Sequence, residues 1–205
     1  MGSSPVPMNI GLFGGSFDPP HLAHLIVAET VREQFQLDQI WWIPAFQPPH
    51  KADVLLADAH HRLEMTRRAT HDHPGFAVSD VEVRRTGTSY TIDTVRTLQE
   101  AHPDYAFFLL IGGDSLRLFE TWHQPEAIAA RIPLLVYRRP GTADVAPAPF
   151  LEDRVRFAHA PLIDISATDI RARVHEGRSI RYLVSDAVRA YIEAEGLYRV
   201  SNSES

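Results

Sequence analysis

The chain contains no cysteine. That removes disulfide scaffolds, thiolate metal sites and cysteine nucleophiles in one step, and it agrees with a reducing, cytoplasmic setting. Lysine is almost absent too: among 20 Lys+Arg residues, Lys51 is the only lysine. Two explanations stand side by side, a coding bias toward arginine or a position that wants a compact point charge. No uninterrupted apolar run approaches the roughly 20 residues needed to cross a bilayer, so no membrane role is expected. Excess positive charge is missing as well. Asp+Glu 26 outnumber Lys+Arg 20, for a net charge of −6 and a pI near 6.0. A broad footprint for nucleic acid is therefore not expected, while a local basic site for a small phosphate ligand is compatible with this balance.

What is present fits an ordinary folded domain. A length of 205 residues, with 44% hydrophobic and 22% charged residues, suffices for a sizeable core without staples. Residues 1–8 carry neither a basic nor an apolar signal segment and read as a flexible leader. Residues 201–205 read as a flexible tail, leaving 9–200 as one domain with no repeat and no linker.

From Asn9 onward, short apolar runs alternate with amphipathic stretches, the pattern of parallel strands joined by crossover helices. Strands are expected at Ile10 to Phe13, Ile40 to Pro44, Phe76 to Val83, Tyr105 to Ile111, Ile132 to Tyr137 and Arg154 to Ala158. Helices are expected at His21 to Phe35, Arg62 to Ala69, Ser89 to Ala101, Leu116 to Glu120, Pro125 to Ala130, Thr168 to His175 and Ser185 to Ala194. The Pro-, Ala- and Gly-rich stretch from Gly141 to Pro149 reads as a surface loop. The fold class is α/β, a doubly wound and mostly parallel sheet with a small C-terminal helical segment.

The first strand runs directly into GGSFDPPHLAH. In a doubly wound sheet this turn lies at the carboxyl ends of the strands, where ligands bind. Two glycines let a phosphate approach the backbone, and the following helix offers free N–H donors and a positive dipole end. His21 and His24, three residues apart, fall on one helix face near that end. By themselves two such histidines read as a surface pair; the strand and the glycines turn the reading toward phosphate. His60, His61, His71 and His73 lack a regular ligand spacing and read as surface residues.

GGSFDPPHLAH is similar to the GG[ST]FDPxHxGH signature of nucleotidyltransferases related to class I aminoacyl-tRNA synthetases. Further segments narrow the resemblance to the bacterial nicotinate-nucleotide adenylyltransferase family: PPHK at Pro48 to Lys51, RLEM at Arg62 to Met65, RRTGTSYTIDT at Arg84 to Thr94, IGGDS at Ile111 to Ser115, TWH at Thr121 to His123 and ISATDIR at Ile165 to Arg171. They follow the family's order over nearly the whole chain. The resemblance implies a Rossmann-like nucleotidyltransferase domain that transfers an adenylyl group from ATP to nicotinate mononucleotide, giving deamido-NAD and pyrophosphate. It implies His21, His24, Lys51 and Arg171 as catalytic donors. Gly14, Gly15, Ser16, Phe17, Gly112, Asp114, Ser166 and Thr168 would bind ATP. Ser89, Tyr90, Thr91, Trp122 and His123 would bind the mononucleotide. Mg²⁺ is implied as ATP's counterion, with no metal site on the protein itself. Two positions depart from the family pattern: Ala23 replaces a glycine, and His123 stands where many members carry tyrosine.

The chemistry agrees with the residue types. A phosphate nucleophile is already anionic, so neither an activated serine nor a general base is required. Each accessory motif also has a plainer reading, since Ser166, Thr168, the TSYT segment and Asp114 could simply cap helices. Trp122 could be core. The rival functions are a nicotinamide mononucleotide or pantetheine-phosphate adenylyltransferase, a catalytically idle nucleotide binder on the same fold, and a metallohydrolase. Self-association, as a homo-oligomer, is left open.

Overall fold

The computed structural model describes residues 7–49, 56–138 and 147–199. Six apolar runs form one sheet: β1 (Asn9–Gly15), β2 (Gln39–Pro44), β3 (Phe76–Val78), β4 (Ala106–Gly112), β5 (Leu134–Tyr137) and β6 (Val155–Ala158). Their order is β3-β2-β1-β4-β5-β6 and every neighbouring pair is parallel. Eight α-helices are found among the described residues: α1 (Leu22–Gln34), α2 (Ala59–Thr70), α3 (Val81–Arg85), α4 (Thr91–Ala101), α5 (Gly113–Arg117), α6 (Pro125–Arg131), α7 (Ala167–His175) and α8 (Asp186–Ala194). None of them is long and apolar enough to cross a membrane.

Strand alternation sends neighbouring side chains to opposite faces, and here both faces are covered. Ile10, Leu12, Leu109, Ile111 and Val136 pack with Ile92 and Val95 of α4 and Ile128 of α6. Phe13, Trp42, Leu110 and Leu135 pack on the other face with Val27, Ala28 and Val31 of α1. Each fully buried aliphatic side chain contributes about 1.5–3 kcal/mol, which is why the apolar runs rather than local propensity fix the sheet. A third cluster joins α2 to the C-terminal helices through Met65, Ile170, Val188 and Ile192.

Several expected boundaries shift. Phe76 to Val83 does not continue as a strand: the ladder ends where Ser79 N–H donates to the Trp42 carbonyl, and Val81–Arg85 turns into α3. There Arg84 pairs with Asp80 at 2.9 Å, while Glu82 and Val83 turn inward. β-Branched residues suggest a strand, but Asp80 is the N-cap of α3 and the chain turns into helix two residues after the last pair, Trp42 with Val78. Ile132 caps α6 and the strand begins at Leu134, after Pro133. Met8, at the edge of the expected leader, lies beside β1, where its carbonyl accepts from Ala106 N–H at 2.8 Å. Within the expected loop from Gly141 to Pro149, residues 141–146 lie outside the described residues, and Pro149–Leu151 forms a 3-10 turn that buries Leu151.

Candidate active site

The chain winds from β1 outward to β3, then returns to lay β4 on the other side of β1. Loops leaving β1 and β4 therefore diverge, opening a crevice at their carboxyl ends. A cleft of about 930 Å³ occupies this position. Every described residue singled out in the sequence as a site candidate lines it: Gly14 to Phe17, His21 and His24 on one wall, Gly112 and Asp114 on the floor, Ser166, Thr168 and Arg171 at one end, Ser89 to Thr91, Trp122 and His123 at the other. Lys51 lies outside the described residues.

The two glycines that end β1 behave differently. A Cβ built on Gly14 would meet nothing within 4 Å, so its backbone faces open cleft. A Cβ on Gly15 would press on the Phe17 ring at 3.0 Å. Phe17 itself adopts a left-handed φ of 47° and is buried against Phe13 and Trp42. Aromatic packing thus holds the turn in shape. At the next corner Gly112 is the N-cap of α5, and a Cβ there would meet Asp114 Oδ1 at 2.5 Å, so only glycine lets Asp114 lie where it does.

His21 is the N-cap of α1 and His24 its third helical residue. The backbone N–H of His21 donates to His24 Nδ1 at 3.2 Å, which leaves the proton of a neutral His24 ring on Nε2 as a donor. The two rings stack with centroids 3.6 Å apart, and His21 is only 3% exposed. One expectation is corrected here. The N–H of Leu22 donates to the Leu183 carbonyl, and that of His24 to the His21 carbonyl, so the first turn of α1 is less open to a phosphate than its sequence suggests. Its imidazoles carry the donors instead. Ala23 is buried away from the cleft, so its methyl does not crowd a ligand.

Arg171 projects from α7 toward the Asp-Pro-Pro corner. It donates to the Asp18 backbone carbonyl at 2.7 Å, sits 3.7 Å from the Asp18 carboxylate, and donates to Thr168 Oγ1 at 3.3 Å. Ser166 caps α7: its hydroxyl accepts from Asp169 N–H at 3.0 Å and donates to the Asp169 carboxylate at 2.6 Å. Capping and cleft lining coexist in one residue.

Sequence reasoning assigned no role to Asp18, Arg62, Glu82 or Tyr198. Asp18 is 2% exposed and accepts from the Tyr198 hydroxyl at 2.6 Å and from Ala57 N–H at 3.3 Å. Burial, then the Asp18 charge, hold the Tyr198 phenol well above its ordinary range, so it remains a donor. Arg62, 1% exposed, donates to the carbonyls of Ala57, Ser16, Ala45 and Phe46. Burial pulls its guanidinium below the usual value, and the Asp18 charge opposes that. A signal did exist for Arg62, since it shares the buried face of α2 with Thr66 and Ala69. A cation on an apolar stripe needs partners.

At the other end, Tyr90 is the N-cap of α4. The N–H groups of Ser89 and Tyr90, proposed as ligand donors, are taken by the Gln47 and Thr88 carbonyls. Helix geometry leaves the N–H of Thr91, which lines the cleft, without an intrahelical acceptor, whereas Ile92 is buried in the core. Trp122 is half-buried on Phe119 and keeps part of its ring in the cleft. His123 is exposed and packs on Tyr90 with centroids 4.4 Å apart. Of the histidines outside the cleft, His61 bonds Tyr191 Oη at 2.8 Å, and His73 lies 3.2 Å from Glu29 and stacks on Phe76. Both are half-buried struts rather than solvated surface residues.

A parallel sheet with a phosphate-sized glycine turn, paired imidazoles and an arginine around one crevice defines a nucleotide-handling α/β domain, and a family model described as cytidylyltransferase-like matches residues 12–173. A protein of Salinibacter ruber named "Probable nicotinate-nucleotide adenylyltransferase" is 55% identical over 192 residues, covering 94% of this chain and 98% of the relative. One of the same name from Exiguobacterium sibiricum is 47% identical over 191 residues, 93% of this chain and 99% of the relative. The chain belongs to the nicotinate-nucleotide adenylyltransferase family within the cytidylyltransferase-like proteins. Its fold matches that of Plasmodium falciparum nicotinic acid mononucleotide adenylyltransferase complexed with NaAD at a TM-score of 0.78 and 22% identity, over 93% of this chain and 97% of the other.

Proposed function

We propose that the chain joins ATP to nicotinate mononucleotide in the described cleft, releasing pyrophosphate and forming deamido-NAD. The observation that carries this reading is the division of one cleft into a cationic end and an aromatic end, in a volume suited to a dinucleotide. A phosphate oxygen of the mononucleotide attacks the α-phosphorus of ATP while the bond to the β-phosphate oxygen breaks, and the electron pair leaves with pyrophosphate. No proton has to be removed from the nucleophile. The protein's work is to hold two polyanions in line and to stabilise charge on the α-phosphoryl oxygens.

His24 Nε2 and His21 supply donors on the α1 wall, and Arg171 supplies a fixed cation from α7. Lys51 is added on the family resemblance alone. Gly14 and Gly15 admit the triphosphate, and Asp114 accepts ribose hydroxyls. Among the described residues no three His, Asp or Glu side chains stand together as a metal cage. The cationic and imidazole lining suits phosphate oxygens, so Mg²⁺ enters as part of the MgATP substrate, held by the triphosphate.

The pyridine ring lies against Trp122, with its carboxylate toward N–H donors at the start of α4, the Thr91 N–H among them. A carboxylate accepts from such donors, whereas an amide NH₂ would meet another donor and leave both unsatisfied. The acid is therefore expected to be preferred over the amide by about 100-fold in kcat/KM, the order given by a ~3 kcal/mol mispairing. Pyrophosphate release with ATP and each of nicotinate mononucleotide, nicotinamide mononucleotide and phosphopantetheine tests the reading. Equal use of the first two would refute the acid preference, and inactivity with all three would refute the transfer itself.

A further inference from the structure

The Phe46 peptide is held from both sides. Its N–H donates to Ser89 Oγ at 3.0 Å, and its carbonyl accepts from Arg62 Nη2 at 2.8 Å. Beside Ser89 stands Glu82, 7% exposed, whose carboxylate accepts from the Thr94 hydroxyl at 2.6 Å; burial pushes its pKa up, and the Thr94 and Ser89 hydroxyls oppose that. Beyond Phe46, Arg62 Nη1 donates to the Ser16 carbonyl at 2.9 Å and the Ala45 carbonyl at 2.6 Å. A second link runs beside the first, from Ser89 N–H to the Gln47 carbonyl at 3.0 Å. Ser16 belongs to the turn on the ATP side, and Ser89 leads into the helix end on the mononucleotide side. The two sides thus meet through a short run of backbone at the end of β2.

We propose that Arg62 and Glu82 are positioning residues, the two ends of one buried polar tie through Phe46 and Ser89 that sets the spacing between the two halves of the cleft. The proposal rests on the adenylyl-transfer reading for the identity of the substrates. Its physical basis is geometric. Carbonyls at the ends of β1 and β2 lie past the last ladder bonds and need donors if they are to stay buried. A guanidinium fork supplies several at fixed angles, which an ammonium cannot. Each half of the cleft keeps its own contacts to its own ligand, so the tie bears on the spacing of the two ligands more than on the binding of either. It acts on the distance between attacking oxygen and α-phosphorus, where a misplacement of about 1 Å costs on the order of 10²-fold in rate.

The test is a double-mutant cycle on Arg62→Lys, Ser89→Ala and Glu82→Gln, reading kcat, the Kd of MgATP alone and of nicotinate mononucleotide alone, and the melting temperature. Glu82→Gln is expected to lower kcat about tenfold with both Kd values within about threefold of wild type, and Ser89→Ala to lower kcat about tenfold with the Kd of MgATP within about threefold. Arg62→Lys is expected to lower kcat further, and the Arg62→Lys/Ser89→Ala double to be no slower than Arg62→Lys alone. A general loss of folding would instead lower the melting temperature and the binding of both ligands together. Should Arg62→Lys fail to fold, the Ser89→Ala and Glu82→Gln pair carries the same test of non-additivity. Unchanged kcat in both, or strictly additive losses in the cycle, would overturn the proposal. If wild type does not join ATP to nicotinate mononucleotide, the functional reading fails separately, and the cycle is read with whichever mononucleotide is accepted.

Discussion

The two ends of the cleft are built by different means. At the phosphate end, side chains are locked by buried polar contacts drawn from the whole chain: Asp18 from the first loop, Arg62 from α2, Arg171 from α7 and Tyr198 from beyond α8. At the end proposed for the mononucleotide, the Thr91 N–H and partly open rings line the cleft, with Trp122 leaning on Phe119 and His123 on Tyr90. The first arrangement suits transition-state charge, which rewards donors that need not reorganise. The second suits recognition of a flat ring and its substituent, where stacking area and donor identity suffice. Chemistry and selectivity should therefore separate under mutation.

The largest effect is expected at the α1 wall. His24→Ala should lower kcat by on the order of 10²-fold or more with little loss of ATP binding, and His21→Ala by a similar or smaller factor. Steady-state pyrophosphate release together with ATP titration of each variant checks this. Near-normal turnover in both variants would mean that the imidazoles do not face the transferred group, and the contrast between the two ends would collapse.

That contrast also explains what was legible in the sequence. The phosphate end announces itself because its glycines, histidines and arginine sit in short contiguous motifs, and the apolar runs that place them have strand period and length. Its supports were not legible. Asp18 and Tyr198 meet across 180 residues of sequence, and nothing local to either indicates the other. Arg62 could have been suspected from its place on a buried helix face, but its acceptors are backbone carbonyls and leave no trace in residue types. At the other end the segments were found, but of the residues Ser89 to Thr91 only Thr91 keeps an uncommitted N–H, because those of Ser89 and Tyr90 are satisfied by the Gln47 and Thr88 carbonyls. The strand expected at Phe76 to Val83 stopped at Val78, although β2 runs on to Pro44, because the chain turns into α3, where Glu82 and Val83 are buried as helix residues.

The intermediate effect belongs to the ring platform. Trp122→Ala should raise KM for nicotinate mononucleotide about tenfold, the scale of a lost stacking contact of ~1–1.5 kcal/mol, while KM for ATP and kcat at saturation stay within about threefold. A matching rise in the ATP constant would show that Trp122 supports the fold around Phe119 rather than the ligand.

The smallest kinetic effect, and the sharpest test of the comparison, comes from Tyr198→Phe. The phenol lies far from the signature turn in sequence but donates to Asp18 Oδ1, and its removal leaves that oxygen with only the longer bond from Ala57. A buried carboxylate deprived of a donor costs about 1–3 kcal/mol, so the melting temperature should fall by several degrees. Burial keeps the phenol protonated and donating at alkaline pH while the unfolded chain ionises there, so the stability Tyr198 contributes is present below the ordinary tyrosine pKa and should be lost progressively as pH rises above it. Because Asp18 also receives Arg171 on its backbone carbonyl, a small displacement should pass to the phosphate end alone. KM for ATP is expected to rise about two- to threefold, with KM for the mononucleotide unchanged. An equal shift in both constants would show that the C-terminal tyrosine stabilises the whole cleft, and that the two ends are mechanically one.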